Sequence, residues 1–477
     1  MLSIIALISA VIVFFATMLL LAAGVAFAYS DWQAVQAFLF LSASLGFLAI
    51  LTMLATANRF KKLTRVGVFS ASVFMWLTLV AISLVPFMIV ENLSFIHALF
   101  EAVSAVVTLG ITYVERVDIS SSMIFYRGIL AWTGGLLTLL MAVYVLGRYQ
   151  VGGTSNQQLR LILHTSQKGN PKIRRTFLEV FVPYFSLTLI CAAALVIARI
   201  NPVDAVNISL NIISTNGFMP TNTGATILNN SAGEIILIIF MILGATSLVW
   251  HRALLSKSWT QAKEQKEAVT FIFAIALVSL LAVIATLFFT TKNAPLSQTI
   301  LNKIFDVVSV MTTTGIIHDT RAGIGLPIEL MLAIAVVGGC SYSTSGGLKV
   351  FRISAMFRHS GNEIKKLVYP HLVVANSVNE NPLELESAKA IWSALFIAIL
   401  TIMLATITFS LQGINLVSSL EMSVGAFSST ANFVTLALDL PIGESPSNAT
   451  MLTLSILSLV ARIELLVVLA IFSRTKW

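Results

Sequence analysis

The chain has 477 residues, 57% of them hydrophobic and only 10% Asp, Glu, Lys or Arg, which leaves too little polar surface to coat a soluble globule of that length. Its formal charge of +8 comes from 29 Lys and Arg against 21 Asp and Glu, and the basic residues gather in a few loops between apolar runs. That placement is a topology signal, so nucleic-acid binding is not needed to explain the basic balance, and the solvent for most of the chain is lipid.

Apolar runs at 4–29, 67–90, 123–146, 177–198, 269–289, 391–409 and 451–472 each come near the roughly 20 residues that a bilayer core demands. The first lacks a charged leading segment and a small-residue cleavage site, so it is expected to be a retained span rather than a signal peptide. With 34–54 it makes an expected two-helix accessory region, residues 1–58. From there one unit repeats four times, at 66–150, 172–256, 268–366 and 385–477: a span, a shorter apolar run, a polar knot and a second span.

The short runs, at 95–107, 203–213, 301–311 and 416–427, cannot cross a bilayer, and their fixed place between two spans predicts re-entrant helices. The knots that follow are 107–111, 214–218, 312–316 and 428–432. Their central residues are Thr108, Leu109 and Gly110, then Thr215, Asn216 and Gly217, then Thr313, Thr314 and Gly315, and last Ser429, Thr430 and Ala431. Any one knot is more often a helix-packing feature. Four in register are not, with Gly110, Gly217, Gly315 and Ala431 spaced by 107, 98 and 116 residues. Each is preceded six positions earlier by a small or polar residue: Ser104, Asn211, Ser309 or Gly425.

Irregular backbone persists at membrane depth only where it is buried or lines water, so the knots are expected to line a pore. A Thr-x-Gly segment can turn successive carbonyls toward an axis, because glycine accepts positive φ, and carbonyl oxygens replace the hydration shell of an alkali cation. Four helix C-termini aimed at one cavity add negative potential without a carboxylate.

In the basic loops, Arg59, Lys61, Lys62 and Arg65 form one cluster, and Arg148, Arg160, Lys168, Lys172, Arg174 and Arg175 a second. Arg252, Lys257, Lys263 and Lys266 form a third, Arg352, Arg358, Lys365 and Lys366 a fourth, and Arg474 and Lys476 close the chain. The loops between are poor in Lys and Arg, and two of them, 201–230 and 412–448, contain neither, which predicts a cytoplasmic-membrane protein with the basic loops and both termini in the cytoplasm. His97, Glu101, Glu115, Asp118, Asp306 and Asp319 fall near the opposite ends of the units and are expected to be mostly solvated mouth residues. Cys191 and Cys340 sit in apolar segments, which argues against a disulfide framework.

Two features of the later units stand apart. Ten consecutive Gly, Ser, Thr, Cys or Tyr residues at 338–347 cannot face lipid, and a glycine-rich break offers a hinge. Arg462 lies in the middle of the last span, where a charge is costly enough to imply a role, and Glu464, two residues on, cannot face it on one helix. The sequence carries no HExxH, nucleophile elbow, Walker loop or dinucleotide fingerprint, so no enzyme activity, cofactor or ATP site is expected.

The segments Phe100-Glu101-Ala102-Val103-Ser104, Phe125-Tyr126-Arg127, Trp132-Thr133-Gly134-Gly135 and Val307-Val308-Ser309 resemble the Trk/Ktr/HKT potassium transporter superfamily, most closely the membrane subunit of bacterial Trk systems. So does the stretch from Gly338 to Arg352, and the resemblance covers nearly the whole chain. The resemblance implies an all-α polytopic membrane protein: four pseudo-symmetric helix–pore loop–helix repeats around a central pore, plus the N-terminal hairpin. It implies K+ as the transported ion, held by the backbone carbonyls of the knots as a selectivity filter. The matching intramembrane loop would be the gate, here Gly338, Gly339, Ser343, Thr344, Ser345, Gly346, Gly347 and Lys349, with Arg462 an electrostatic barrier beneath the filter. A homodimer and a cytosolic nucleotide-binding regulatory subunit are implied as partners. The chain departs from the family at Ala431, where a glycine is expected, so that quarter of the ring is expected to differ in shape. A sodium-conducting or cation–proton symporting relative and a non-conducting membrane scaffold therefore stay open.

Overall fold

Helices built almost wholly from Leu, Ile, Val, Phe and Ala dominate the chain because in lipid every backbone N–H and C=O must be paired within its own segment. The computed structural model describes residues 2–56, 63–114, 119–149, 151–153, 173–220, 231–255, 266–289, 296–316, 327–368, 385–438 and 446–472, and among them there is no strand. Among the described residues, seven helices are long and apolar enough to cross a membrane. They are Leu2–Ala28, Trp32–Thr56, Arg65–Val90, Ser121–Gly147, Arg175–Ile197, Lys266–Ala285 and Ala388–Leu411. Outer helices leave large apolar side chains such as Leu21, Phe40, Phe47, Phe273 and Phe396 exposed, as lipid-facing surfaces must. The first two helices pack as an antiparallel hairpin on small and hydroxyl residues, with Ser42 donating to the Ala16 carbonyl at 2.8 Å and Ser9 meeting Thr52 at 2.6 Å.

Helix Ser121–Met141 runs through the interior, buried on nearly every face. Its Trp132-Thr133-Gly134-Gly135 segment explains how it fits. A Cβ on Gly134 would land on the Val106 carbonyl oxygen, and one on Gly135 would lie 2.9 Å from the Ser214 Cβ. The helix thus crosses the ends of two short helices at backbone contact.

Those short helices are Phe95–Val106, Pro202–Ile213, Leu296–Met311 and Leu416–Ser428. The longest, at 16 residues, is about 24 Å long and falls short of the hydrocarbon core. Asn201 starts the second, accepting from the Val203 N–H at 3.0 Å ahead of Pro202 in the first turn.

The second span of three units is not continuous. Ser231–Ala245 gives way at Thr246 and Ser247 to Leu248–Leu255, and Ile328–Val337 is separated from Val350–Val368 by an irregular loop. The run 451–472, expected as one span, is instead Asn448–Ile463 and Leu465–Phe472 bent by 88° at Glu464, which has φ +71°. A carboxylate at that depth needs a partner, and leaving the helix brings Glu464 to Arg352 at 2.6 Å. Arg352, grouped above with the solvated basic loops, is therefore buried and paired.

Residues from different basic clusters do meet. Arg175 and Arg252 both pair with Glu179, at 3.0 and 3.2 Å, and Arg65 donates to the Tyr149 carbonyl at 3.3 Å beside Arg148. Arg59, Lys61, Lys62, Arg160, Lys168, Lys172, Lys257, Lys263, Arg474 and Lys476 lie outside the described residues. Cys191 and Cys340 are both buried and free.

Candidate functional site

Each short helix ends in the same local structure, and the residue that makes it is not the glycine. Thr108, Thr215, Thr313 and Ser429 have φ of +60°, +54°, +57° and +57°. In the first knot the Thr108 N–H returns to the Ala105 carbonyl at 3.1 Å and the Leu109 N–H to the Ser104 carbonyl at 2.8 Å. This is a Schellman ending, with threonine in the left-handed position that glycine ordinarily fills. The third knot repeats it through Thr313 to Val310 and Thr314 to Ser309, both at 3.0 Å. Asn216 to Asn211 at 2.9 Å and Thr430 to Gly425 at 2.8 Å complete the set. The small or polar residue six positions before each glycine is thus the one whose carbonyl closes the turn; Ser104 and Ser309 add side-chain bonds to the Ile111 and Ile316 carbonyls at 2.6 and 2.7 Å.

Non-glycine residues held left-handed cost about 1 kcal/mol each, and four at equivalent places are a strained ring of the kind that concentrates at functional sites.

The knots touch one another. A Cβ on Gly110 would lie 2.6 Å from Asn216 Oδ1, and one on Gly217 would lie 2.6 Å from the Thr314 carbonyl oxygen and 3.1 Å from the Ala431 Cβ. One on Gly315 would meet the Ala431 nitrogen at 2.6 Å. Behind the second knot, Asn216 Nδ2 donates to Asn211 Oδ1 at 2.6 Å, and Asn211 Nδ2 to Asn207 Oδ1 at 2.8 Å. The third and fourth are braced by hydroxyl pairs, Thr312 with Thr314 and Ser428 with Thr430, each at 2.8 Å. Leu109 takes the equivalent place in the first and is fully buried. Thr108 Oγ1 and Asn216 Oδ1 are buried without a hydrogen-bond partner among the described residues.

Ala431 does not occupy a glycine conformation. Gly110 and Gly315 have φ of +79° and +73°, but Gly217 and Ala431 are outside the left-handed region, and Ala431 opens the helix Ala431–Leu438. The fourth knot does differ in shape, by turning into a helix, and no positive φ is at stake. Ala431→Gly is accordingly expected to change relative cation selectivity less than about twofold, since only a helix-start propensity is altered; paired flux measurements on the two proteins check this.

The loop between Val337 and Val350 packs against the third and fourth knots and the end of the second short helix. Thr344 Oγ1 lies 3.0 Å from the carbonyls of both Ile213 and Gly244, and the Gly346 N–H donates to Thr313 Oγ1 at 2.8 Å. A Cβ on Gly346 would overlap the Ser428 carbonyl oxygen, so only glycine allows this approach. Gly338 and Gly347 take φ of +69° and +75° where the chain leaves and rejoins helix. Gly339 lies against Ser345, and Ser343 Oγ meets Ser345 Oγ at 2.7 Å. Arg462 reaches the loop and donates to the Thr344 carbonyl at 2.7 Å, while Lys349 Nζ bonds the Ser345 carbonyl.

Sequence reasoning missed Glu267 altogether. Its Oε1 accepts from the Ser341 N–H at 2.7 Å and the Phe351 N–H at 3.2 Å, fixing both ends of the loop. An acidic residue opening an otherwise apolar span was the available signal.

Glu101 and Asp306, expected to be solvated, are buried. Glu101 Oε2 pairs with Arg127 at 2.9 Å, Arg127 also pairs with Glu91 at 2.6 Å, and Glu101 Oε1 accepts from Thr112 Oγ1 at 2.9 Å and the Tyr113 N–H at 3.2 Å. Desolvated carboxylates require such partners, and these pin the segment leaving the first knot. Asp306 lies 3.7 Å from Lys303. His97 bonds Ser94 at 2.7 Å, and Glu115, Asp118 and Asp319 lie outside the described residues.

Compared with known proteins, residues 42–473 match the family model described as TrkH, cation transport protein. The Trk system potassium uptake protein TrkH of Escherichia coli K12 is 28% identical over 445 residues, 90% of each chain. That of Halomonas elongata is 28% identical over 461 residues, 94% of this chain and 93% of its own. The crystal structure of the potassium transporter TrkH from Vibrio parahaemolyticus superposes with a TM-score of 0.87 at 25% identity, covering 100% of this chain and 99% of the other.

Proposed function

The chain belongs to the TrkH family of cation transport proteins, and from that premise we propose that this multi-pass membrane protein conducts potassium inward down its electrochemical gradient, without catalytic chemistry of its own. The observation that carries the reading is the meeting of four knots, each with a left-handed threonine or serine at the same position. In this reading their carbonyls form the selectivity filter, with K+ as substrate rather than resident cofactor. The loop 338–347 with Lys349 is the gate, and Arg462 is a positive barrier on the exit path. An inward cation gains about 2.3 kcal/mol per 100 mV of inside-negative potential, which supplies the driving force.

The shared side of the basic residues favours a cell-membrane topology with the basic loops and both termini cytoplasmic. The relatives' description as parts of a Trk system supports a multi-component assembly; in this reading the chain forms a homodimer and is joined by a cytosolic nucleotide-binding regulatory subunit.

Cation flux into liposomes, comparing K+, Rb+, Na+ and Li+, tests the proposal. K+ and Rb+ above Na+ is the expected order; Na+ equal to or above K+ would instead assign a sodium-conducting relative, proton-coupled flux a symporter, and silence under every gating condition a scaffold. With a large organic anion such as gluconate as the counter-ion, Arg462→Gln is expected to raise basal K+ flux about tenfold, because removing an unscreened unit charge near the path lowers the barrier at an effective dielectric constant near 20.

A further inference from the structure

Below the gate loop lies a cavity of about 80 Å³, room for several waters or a small ion with part of its shell. Its walls carry three cationic side chains, Lys349, Arg352 and Arg462, and one carboxylate, Glu464, a surplus of two positive charges at membrane depth. Glu464 is committed to Arg352 at 2.6 Å, and that arginine also donates to the Gly152 carbonyl at 3.2 Å. Glu267, behind the loop, is committed to the Ser341 and Phe351 N–H groups. Lys349 and Arg462 are left with only the loop's own oxygens at Ser345 and Thr344, and no ion pair joins either of them among the described residues. Arg462 is buried, lines the cavity, and its Nε has no acceptor among the described residues.

Two uncompensated cations in a low-dielectric site are unfavourable, and here they also stand on the route by which a cation leaves the knots. Arginine is weakly hydrated and presents its donors as a fixed fork, a geometry that takes an anion readily. Serine hydroxyls of the loop and Ser429 supply further donors on the same wall.

We propose that this cavity binds a small inorganic anion of the chloride class between Lys349 and Arg462, and that the bound anion screens them so that cations pass. The anion is then a co-requirement of conduction, set by its concentration on the side the cavity opens to. This rests on the reading of the knots as a cation filter, so binding and transport are tested separately.

Binding is read as chlorine NMR line broadening on the purified protein in detergent. The expected result is broadening by the wild type that either Lys349→Met or Arg462→Gln removes; equal line widths in all three would overturn the site. Transport is read as Rb+ uptake into liposomes, with chloride replaced on both faces by gluconate, too large for the cavity, at constant cation concentration and ionic strength. A fall of about tenfold in gluconate is expected for the wild type from the loss of one screening charge. Uptake identical in the two anions would overturn the screening role without touching the filter reading. A wild type that passes no cation in either anion would count against the filter reading, and the line widths would still decide the site.

Discussion

Gly315→Ser should lower K+ flux by more than tenfold and bring the K+ to Na+ ratio toward one. Gly315 has φ +73°, where a side chain costs about 1–2 kcal/mol, and its Cβ would stand 2.6 Å from the Ala431 nitrogen and 3.2 Å from the Thr430 carbonyl carbon. Neither neighbour is a flexible tip. Both are backbone of the fourth knot, already tied back to Gly425 by the Thr430 N–H at 2.8 Å. The third knot must therefore change its torsions, or the fourth must move. Either displaces carbonyl positions by tenths of an ångström, and about 1.4 kcal/mol of differential ion binding is a factor of ten. Gly217→Ser meets equally close atoms but no torsional cost, because Gly217 is outside the left-handed region, so the Gly315 variant should be the more severe. Liposome flux of the two variants beside the wild type is the measurement; a Gly315→Ser protein with unaltered selectivity would remove that knot from the filter.

The spacing of the knots was legible because hydropathy and residue size survive in a linear pattern. Runs too short to cross, followed by Thr and Gly, located four turns that the fold brings into contact. What the pattern hid was the torsion. Positive φ was assigned to the glycines, yet threonine or serine carries it in all four knots and glycine in only two, since the turn is dictated by closure of the helix end and not by side-chain preference. The expected difference at Ala431 was found for another reason, the helix that begins there.

Charges read from loops or helix ends were the weakest inferences. Arg352 counted as a solvated basic residue and Glu464 as part of a straight span, but the pair forms between segments 112 positions apart, which no local pattern records. Glu101 likewise resembled a mouth carboxylate, because its partner Arg127 lies 26 residues on and inside a span. By contrast Arg462 was conspicuous at once, since an arginine deep in an apolar run has no inexpensive explanation.

The Glu91–Arg127–Glu101 group carries the largest expected stability effect. Arg127 is 2% exposed, donates to both carboxylates, and has its guanidinium 4.8 Å from the Phe87 ring centroid. Arg127→Met would leave two buried carboxylates facing each other without a cation, and breaking such a network by removing one partner costs about 3–5 kcal/mol. Arg127→Lys should recover only part of this, because a single ammonium cannot replace the bidentate contact at 2.6 and 2.8 Å to Glu91 together with the 2.9 and 3.1 Å bonds to Glu101. Neutralising the group as a whole, with Glu91→Gln and Glu101→Gln added to Arg127→Met, should recover more than the lysine does, since no unpaired charge is then left buried. Thermal unfolding of the detergent-solubilised proteins orders the variants. Selectivity adds a second readout, because Glu101 also holds Thr112 and the Tyr113 N–H just after the first knot, and the triple variant loses the charge-assisted part of that anchor. A triple variant that is stable yet poorly selective would assign the network to holding the first knot in register; one both stable and selective would confine it to folding.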